Sequence, residues 1–202
     1  HGLTPEFPTA IDQVGLLTSL RRQLAMRLLD VFSFEKRERR KIATVLRDST
    51  LAAARDPHPY QMGWADDTLD GRFEQVAIHS ALLMRRLREE GANGRALAEE
   101  FMDQIFSNLD YGLRETGVGD ASISRKVRGL GERLYGIARG LDAAFETGDE
   151  KGIADFVERN GFASKDVEGF AGHLRHIEVK LAGQTGADLL QGVVVWPKPG
   201  ES

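Results

Sequence analysis

Apolar residues recur along this chain mainly at helical intervals, and only one short stretch alternates with neither polar residues nor a helical period. From Ile11 to Phe34, Val14, Leu17, Leu24, Leu28 and Val31 form a wide apolar stripe. The charge-dense run from Glu35 to Lys41 follows; it is either a helix start or a solvated linker. The spacing predicts helices over Ile42 to Arg55, Arg72 to Glu90, Arg95 to Leu113, Ser122 to Phe145, Glu150 to Asn160 and Ser164 to Ala182. Prolines in Asp56-Pro-His-Pro-Tyr60 stop the first of these, because the residue before a proline is barred from helical geometry. Gln61 to Asp70 reads as a polar loop. Gly192 to Trp196 is β-branched and bounded by Gly and Pro, so it reads as extended, packed on the body as a single strand. The expectation is an all-α protein of about seven helices with almost no sheet.

Four glycines, Gly129, Gly131, Gly136 and Gly140, fall inside the helix from Ser122. Each costs up to ~1 kcal/mol relative to Ala. Their presence predicts close helix–helix approach or a kink. The expected organisation is a tag remnant over 1–8, an N-terminal helical arm over 9–40, a helical domain over 41–197 and a frayed tail over 198–202.

Composition narrows the chemistry. The chain has 202 residues, 27 Lys+Arg against 31 Asp+Glu, a net charge of −4 and no cysteine. Thiol nucleophiles, Cys-ligated zinc and iron–sulfur clusters are therefore excluded. The acidic balance argues against nucleic acid as the main partner, since phosphate binding needs clustered Lys/Arg. No apolar run approaches the ~20 residues that span a bilayer; the longest, Val76 to Met84, is interrupted by His79 and Ser80. No secretory leader is visible at the N-terminus, so the expectation is a cytoplasmic protein.

The helix from Arg72 is apolar over most of its circumference, leaving a narrow strip of Arg72, Gln75, His79 and Arg86. Either this strip opens on a groove or partner, or it is the one wet edge of a buried helix. On the next helix, Asp103, Ser107, Asp110 and Arg114 line the half opposite Leu97, Phe101 and Ile105, as a partner surface or a solvated face. Asp66, Asp67, Asp70 and Glu74 cluster before and within the helix start. With His79 they could hold a divalent metal for an enzyme, but such carboxylates also complement a helix N-terminus, and the calcium-loop spacing is absent. His173 and His176 share one face without a third ligand nearby in sequence. Gly117-Val-Gly119 is too short for a dinucleotide fingerprint. No catalytic constellation emerges, and no cofactor is expected.

The segment Asp67-Thr-Leu-Asp-Gly-Arg-Phe-Glu-Gln-Val-Ala-Ile-His79, followed by Leu82-Leu-Met-Arg-Arg-Leu87, carries a more specific pattern with Asp103 to Phe106, Leu113-Arg-Glu-Thr-Gly-Val-Gly-Asp120, Lys126 and Leu134-Tyr-Gly136. Ala54-Arg55, Pro59-Tyr60, Asn160, Leu190-Gln-Gly192 and Trp196-Pro197 extend it, from about Ala54 to Pro197. This pattern resembles the ubiquinol–cytochrome c chaperone family. It departs from it at Ile137, where the family has Arg, and in lacking a Tyr between Thr44 and Ala53.

The resemblance implies an assembly chaperone rather than an enzyme. Its client would be newly made cytochrome b, its product assembled complex III. In mitochondrial relatives a ribosome and a small partner subunit also take part. It implies partner contacts at Asp67, Asp70, Arg72, Phe73, Glu74, His79, Arg86, Asp103, Asp110, Arg114, Glu115, Gly119, Asp120, Lys126 and Tyr135. The loop Asp66 to Asp70 and the turn Gly117 to Asp120 are expected to lie near each other on that surface. Membrane contact would be peripheral, at the inner membrane, with the basic run Lys36 to Lys41 adding attraction to anionic lipid.

Overall fold

Residue patterning at a 3.6 period is realised as helix almost throughout. The computed structural model describes residues 34–115, 120–163 and 165–198, without the side chains of 120–122. The stripe from Ile11, residues 1–8, the Gly117–Gly119 turn and the tail past Lys198 lie outside the described residues. The chain divides into two compact units, 1–39 and 40–202, and the packing of interest belongs to the second.

Helix α1 covers described residues 34–53, so the charged run from Glu35 is helical rather than a linker. Then come α2 (His58–Gln61), α3 (Leu69–Arg88), α4 (Gly91–Glu115), α5 (Asp120–Glu146), α6 (Glu150–Arg159), α7 (Val167–Ala182) and α8 (Gly186–Leu190). No strand occurs among the described residues. The sequence placed the start of α3 three residues late and that of α7 three residues early, while α6 begins at Glu150 as expected; side-chain caps set all three starts. Thr68 accepts from Gly71 N–H at the start of α3, Asp149 from Gly152 N–H at α6 and Asp166 from Gly169 N–H at α7. Short α2 and α8 have no periodic signature. Asp56 seeds α2 by accepting from the His58 N–H at 2.9 Å, and Thr185 caps α8.

Helix α3 is the axis of the body. Phe73, Ala77, Ile78, Ala81, Leu82, Leu83, Met84 and Leu87 are all buried, and α4, α5, α7 and α8 pack around it. The interior glycines of α5 divide in two. A Cβ on Gly140 would stand 2.6 Å from the Phe156 ring of α6, and one on Gly131 would stand 3.4 Å from Phe106 of α4. Gly129 and Gly136 face open space. Close approach therefore explains two of the four.

Candidate functional site

The polar strip of α3 is where the sequence and the structure differ most. Only Arg72 is on a wet edge, with its side chain two-thirds exposed and paired to Asp67 at 2.7 Å. Gln75, His79 and Arg86 are buried, 2%, 5% and 9% exposed. The chain's own C-terminal parts cover two of its members, Arg86 and His79. Arg86 is covered by the α7–α8 turn: its Nε donates to the Leu181 carbonyl at 3.2 Å, and an Nη to the Gln184 carbonyl at 2.8 Å. It also pairs with Glu90. A guanidinium from α3 thus serves carbonyls at the end of α7, where the helix leaves acceptors without intrahelical donors.

His79 is covered by Trp196, whose ring centre lies 5.2 Å away. Its Nδ1 donates to the Gln75 carbonyl at 2.8 Å. Nε2 is then the unprotonated nitrogen of a neutral ring. Burial drives its pKa below the ordinary histidine value.

The roof is the extended segment 193–198. The strand expected there is not a strand: among the described residues no second strand pairs with it. The side chain of Gln184 takes that place: Oε1 accepts from the Val195 N–H at 2.7 Å, and Nε2 donates to the Val195 carbonyl at 2.8 Å. Trp196 Nε1 donates to Ser49 Oγ of α1 at 3.1 Å. Val194 and Trp196 pack inward on the core, while Val193 and Val195 are half-exposed. This is strand-like alternation without a sheet.

Beside Trp196 lies an open cleft of about 370 Å³, lined by Ala52, Ala53, Pro57, His79, His173 and Ile177 among others, with Trp196, Pro197 and Lys198 of the same segment forming one wall. His173 sits among rings, 5.2 Å from Trp64, 6.2 Å from His58 and 6.3 Å from Phe170. Burial, then the neighbouring His79 and His58, push its pKa down to about 4. Trp64 is pinned there by its indole N–H, which donates to Asp166 at 2.8 Å. That bond, with the Gly169 N–H, holds the Asp166 carboxyl below the usual range. The sequence showed these rings only as scattered residues from three elements, and nothing in it pointed to Gln184.

Around the start of α3, acidic groups turn to cations rather than to one another. Asp70 at 3.2 Å and Glu74 both pair with Arg133 of α5. The Arg133 guanidinium lies over the Phe73 ring, 5.5 Å from its centre, and Phe73 itself is buried. Burial raises the Glu74 pKa, with Arg133 opposing. His79 lies inside the fold, away from these carboxylates. Among the described residues no group of three or more His, Asp or Glu is placed to hold a metal ion, so the donor set Asp66, Asp67, Asp70, Glu74 and His79 does not converge.

The outer half of α4 is solvated as its polarity requires. Asp103 is exposed, and Asp110 pairs with Arg114 at 2.7 Å. Glu115 accepts from Tyr111 and raises its pKa. Lys126 is exposed, and Tyr135 is 41% exposed with its ring 5.8 Å from Phe106. Gly119 and the side chain of Asp120 fall outside the described residues.

The described residues define an all-helical domain built around one buried helix, with an open cleft beside His79. Residues 65–196 match the ubiquinol-cytochrome C chaperone family, and the chain belongs to that family. The fold is also similar to that in the crystal structure of the Cbp3 homolog from Brucella abortus, with a TM-score of 0.73. Identity is 23%, covering 86% of this chain and 98% of that one. No curated protein matches the chain significantly.

Proposed function

We propose that the chain binds newly made cytochrome b and promotes assembly of ubiquinol–cytochrome c reductase, without catalysing a reaction itself. The observation that carries this reading is the family match over residues 65–196, which takes in α3 through α8 whole. The surface supports it. Leu69, 80% exposed, lies in sequence between the partners of the Asp67–Arg72 pair and next to Asp70 of the Asp70/Glu74–Arg133 group. Apolar area rimmed by mixed charge is ordinary interface anatomy. Asp103, Asp110, Arg114, Glu115 and Lys126 extend the proposed partner surface, while buried Phe73, His79 and Arg86 support it from below. No helix of the described residues is long and apolar enough to cross a membrane, so a place at the cytoplasmic side of the inner membrane would come through the client.

Affinity capture from native membranes tests the reading. Wild-type protein should retain cytochrome b, and a Leu69→Asp/Arg72→Glu variant should lose it with its melting temperature unchanged. Deleting the gene should lower complex III and spare other respiratory complexes. Absence of cytochrome b from the captured material, or unchanged complex III, overturns the proposal.

A further inference from the structure

The open cleft beside Trp196 is bordered by polar atoms that the chain itself leaves unserved. His79 is only 5% exposed, yet it lines this space. Its Nδ1 is committed to the Gln75 carbonyl, which makes Nε2 an acceptor. Nε2 meets no donor among the described residues, and it is not one of the sealed-in polar atoms, which are Ser80 Oγ and His176 Nε2. It therefore looks onto the cleft. An acceptor this deep is costly to leave without a donor.

His173 of α7 borders the same space. It touches rings on several sides but makes no hydrogen bond among the described residues. Burial keeps it neutral at pH 7, so it too retains an acceptor nitrogen. The other inner walls are apolar: Ala52 and Ala53 of α1, Ile177 one turn along α7 from His173, and the Trp196 ring. Arg55 borders the cleft from an exposed position and has no carboxylate partner among the described residues. Asp56, also on the rim, spends one oxygen on the His58 N–H. At about 370 Å³ the space falls within the range of small-molecule pockets, about 300–1,000 Å³.

We infer that the cleft binds a small aromatic acid that carries a hydroxyl group. The hydroxyl donates to His79 Nε2, the ring lies against Trp196 and Ala53, and the carboxylate meets Arg55. Each part answers one feature of the wall. A purely apolar ligand would leave Nε2 without a donor, and a cationic one would meet Arg55 with like charge. Segment 193–198 stays in place as a wall of the site. The inference does not depend on the chaperone reading.

Isothermal titration of the full chain at pH 7 with para-hydroxyphenylacetate tests it. Wild type should give saturable binding at one site. Phenylacetate, which lacks the hydroxyl, should bind about tenfold more weakly. Para-cresol, which lacks the carboxylate, should bind about threefold more weakly, a modest loss because Arg55 is exposed. Arg55→Gln should erase that preference for the acid. Ala53→Phe fills the cleft and should abolish binding with an unchanged circular dichroism spectrum. Should that variant fail to fold, Ala52→Phe, at an exposed position of the same wall, replaces it. Heat without saturation from wild type, equal affinity for the two acids, an Arg55→Gln variant that still prefers the acid, or undiminished binding by a folded, filled variant overturns the inference. Cytochrome b capture that persists when the titration fails spares the chaperone reading and sinks only the cleft.

Discussion

Replacing Arg86 with Ala should damage the fold rather than a partner surface. The guanidinium is 10% exposed and makes charge-assisted bonds to the Leu181 and Gln184 carbonyls, besides its pair with Glu90. The Leu181 carbonyl keeps a second donor, the Gln184 N–H at 3.1 Å, so its loss is partial. The Gln184 carbonyl and the Glu90 carboxylate lose their cation outright. A hydrogen bond to a charged group contributes about 1.5–3 kcal/mol. Counting the two carbonyls alone, one full and one partial loss, softened by water entering the vacated space, come to about 3 kcal/mol. For a chain of this size each kcal/mol moves the midpoint by about 2–4 °C, so the melting temperature should fall by about 6–12 °C. Arg86→Lys should recover part of this, because an ammonium can reach one carbonyl but lacks the fork that serves two. The same scan on Arg72→Ala should show almost no shift, since that pair is largely exposed and such pairs contribute little. The reasoning is refuted if Arg86→Ala melts within 2 °C of wild type, and still more so if it loses client capture while doing so.

Stability should fall between pH 6.5 and 4. His173 is held neutral in the fold down to about 4 by burial and by His79, His58 and His176, with Asp56 opposing. The unfolded chain binds that proton first, so stability is full above the unfolded value and drains as pH drops, by about 3 kcal/mol at most. Urea midpoints at pH 7, 5.5 and 4.5 measure this, and His173→Phe should flatten the dependence; a midpoint that rises on acidification contradicts it. Two alanine substitutions in α5 should have opposite signs: Gly140→Ala meets the buried Phe156 ring and should destabilise by about 1–2 kcal/mol. Gly129→Ala meets nothing and should stabilise by up to ~1 kcal/mol. Equal signs in thermal melts would mean that packing does not separate them. Gly71→Ala should displace the 62–70 loop, since its Cβ would stand 2.1 Å from the Asp66 carbonyl oxygen. The expected readout is a shifted Trp64 fluorescence together with a loss of about 2 kcal/mol or more, and unchanged emission and melting would refute it.

Helical class and the burial of α3 were legible in the sequence, because a 3.6 period of apolar residues is a local property of the chain. Caps and one-turn helices were not, because their bonds involve single side chains outside that period. The family pattern likewise lay in the order of residues from Asp67 to Trp196. What periodicity could not decide was the fate of the polar strip. His79 and Arg86 look like part of a wet edge until segments about a hundred residues away come to rest on them. The partner of a polar side chain is set by which distant segment arrives opposite it, and that is a property of tertiary packing alone. So the sequence determined that α3 carries a polar strip along an apolar helix. The tertiary structure decided that the strip past Arg72 is buried, with Arg86 capping the end of α7 and His79 lying under Trp196.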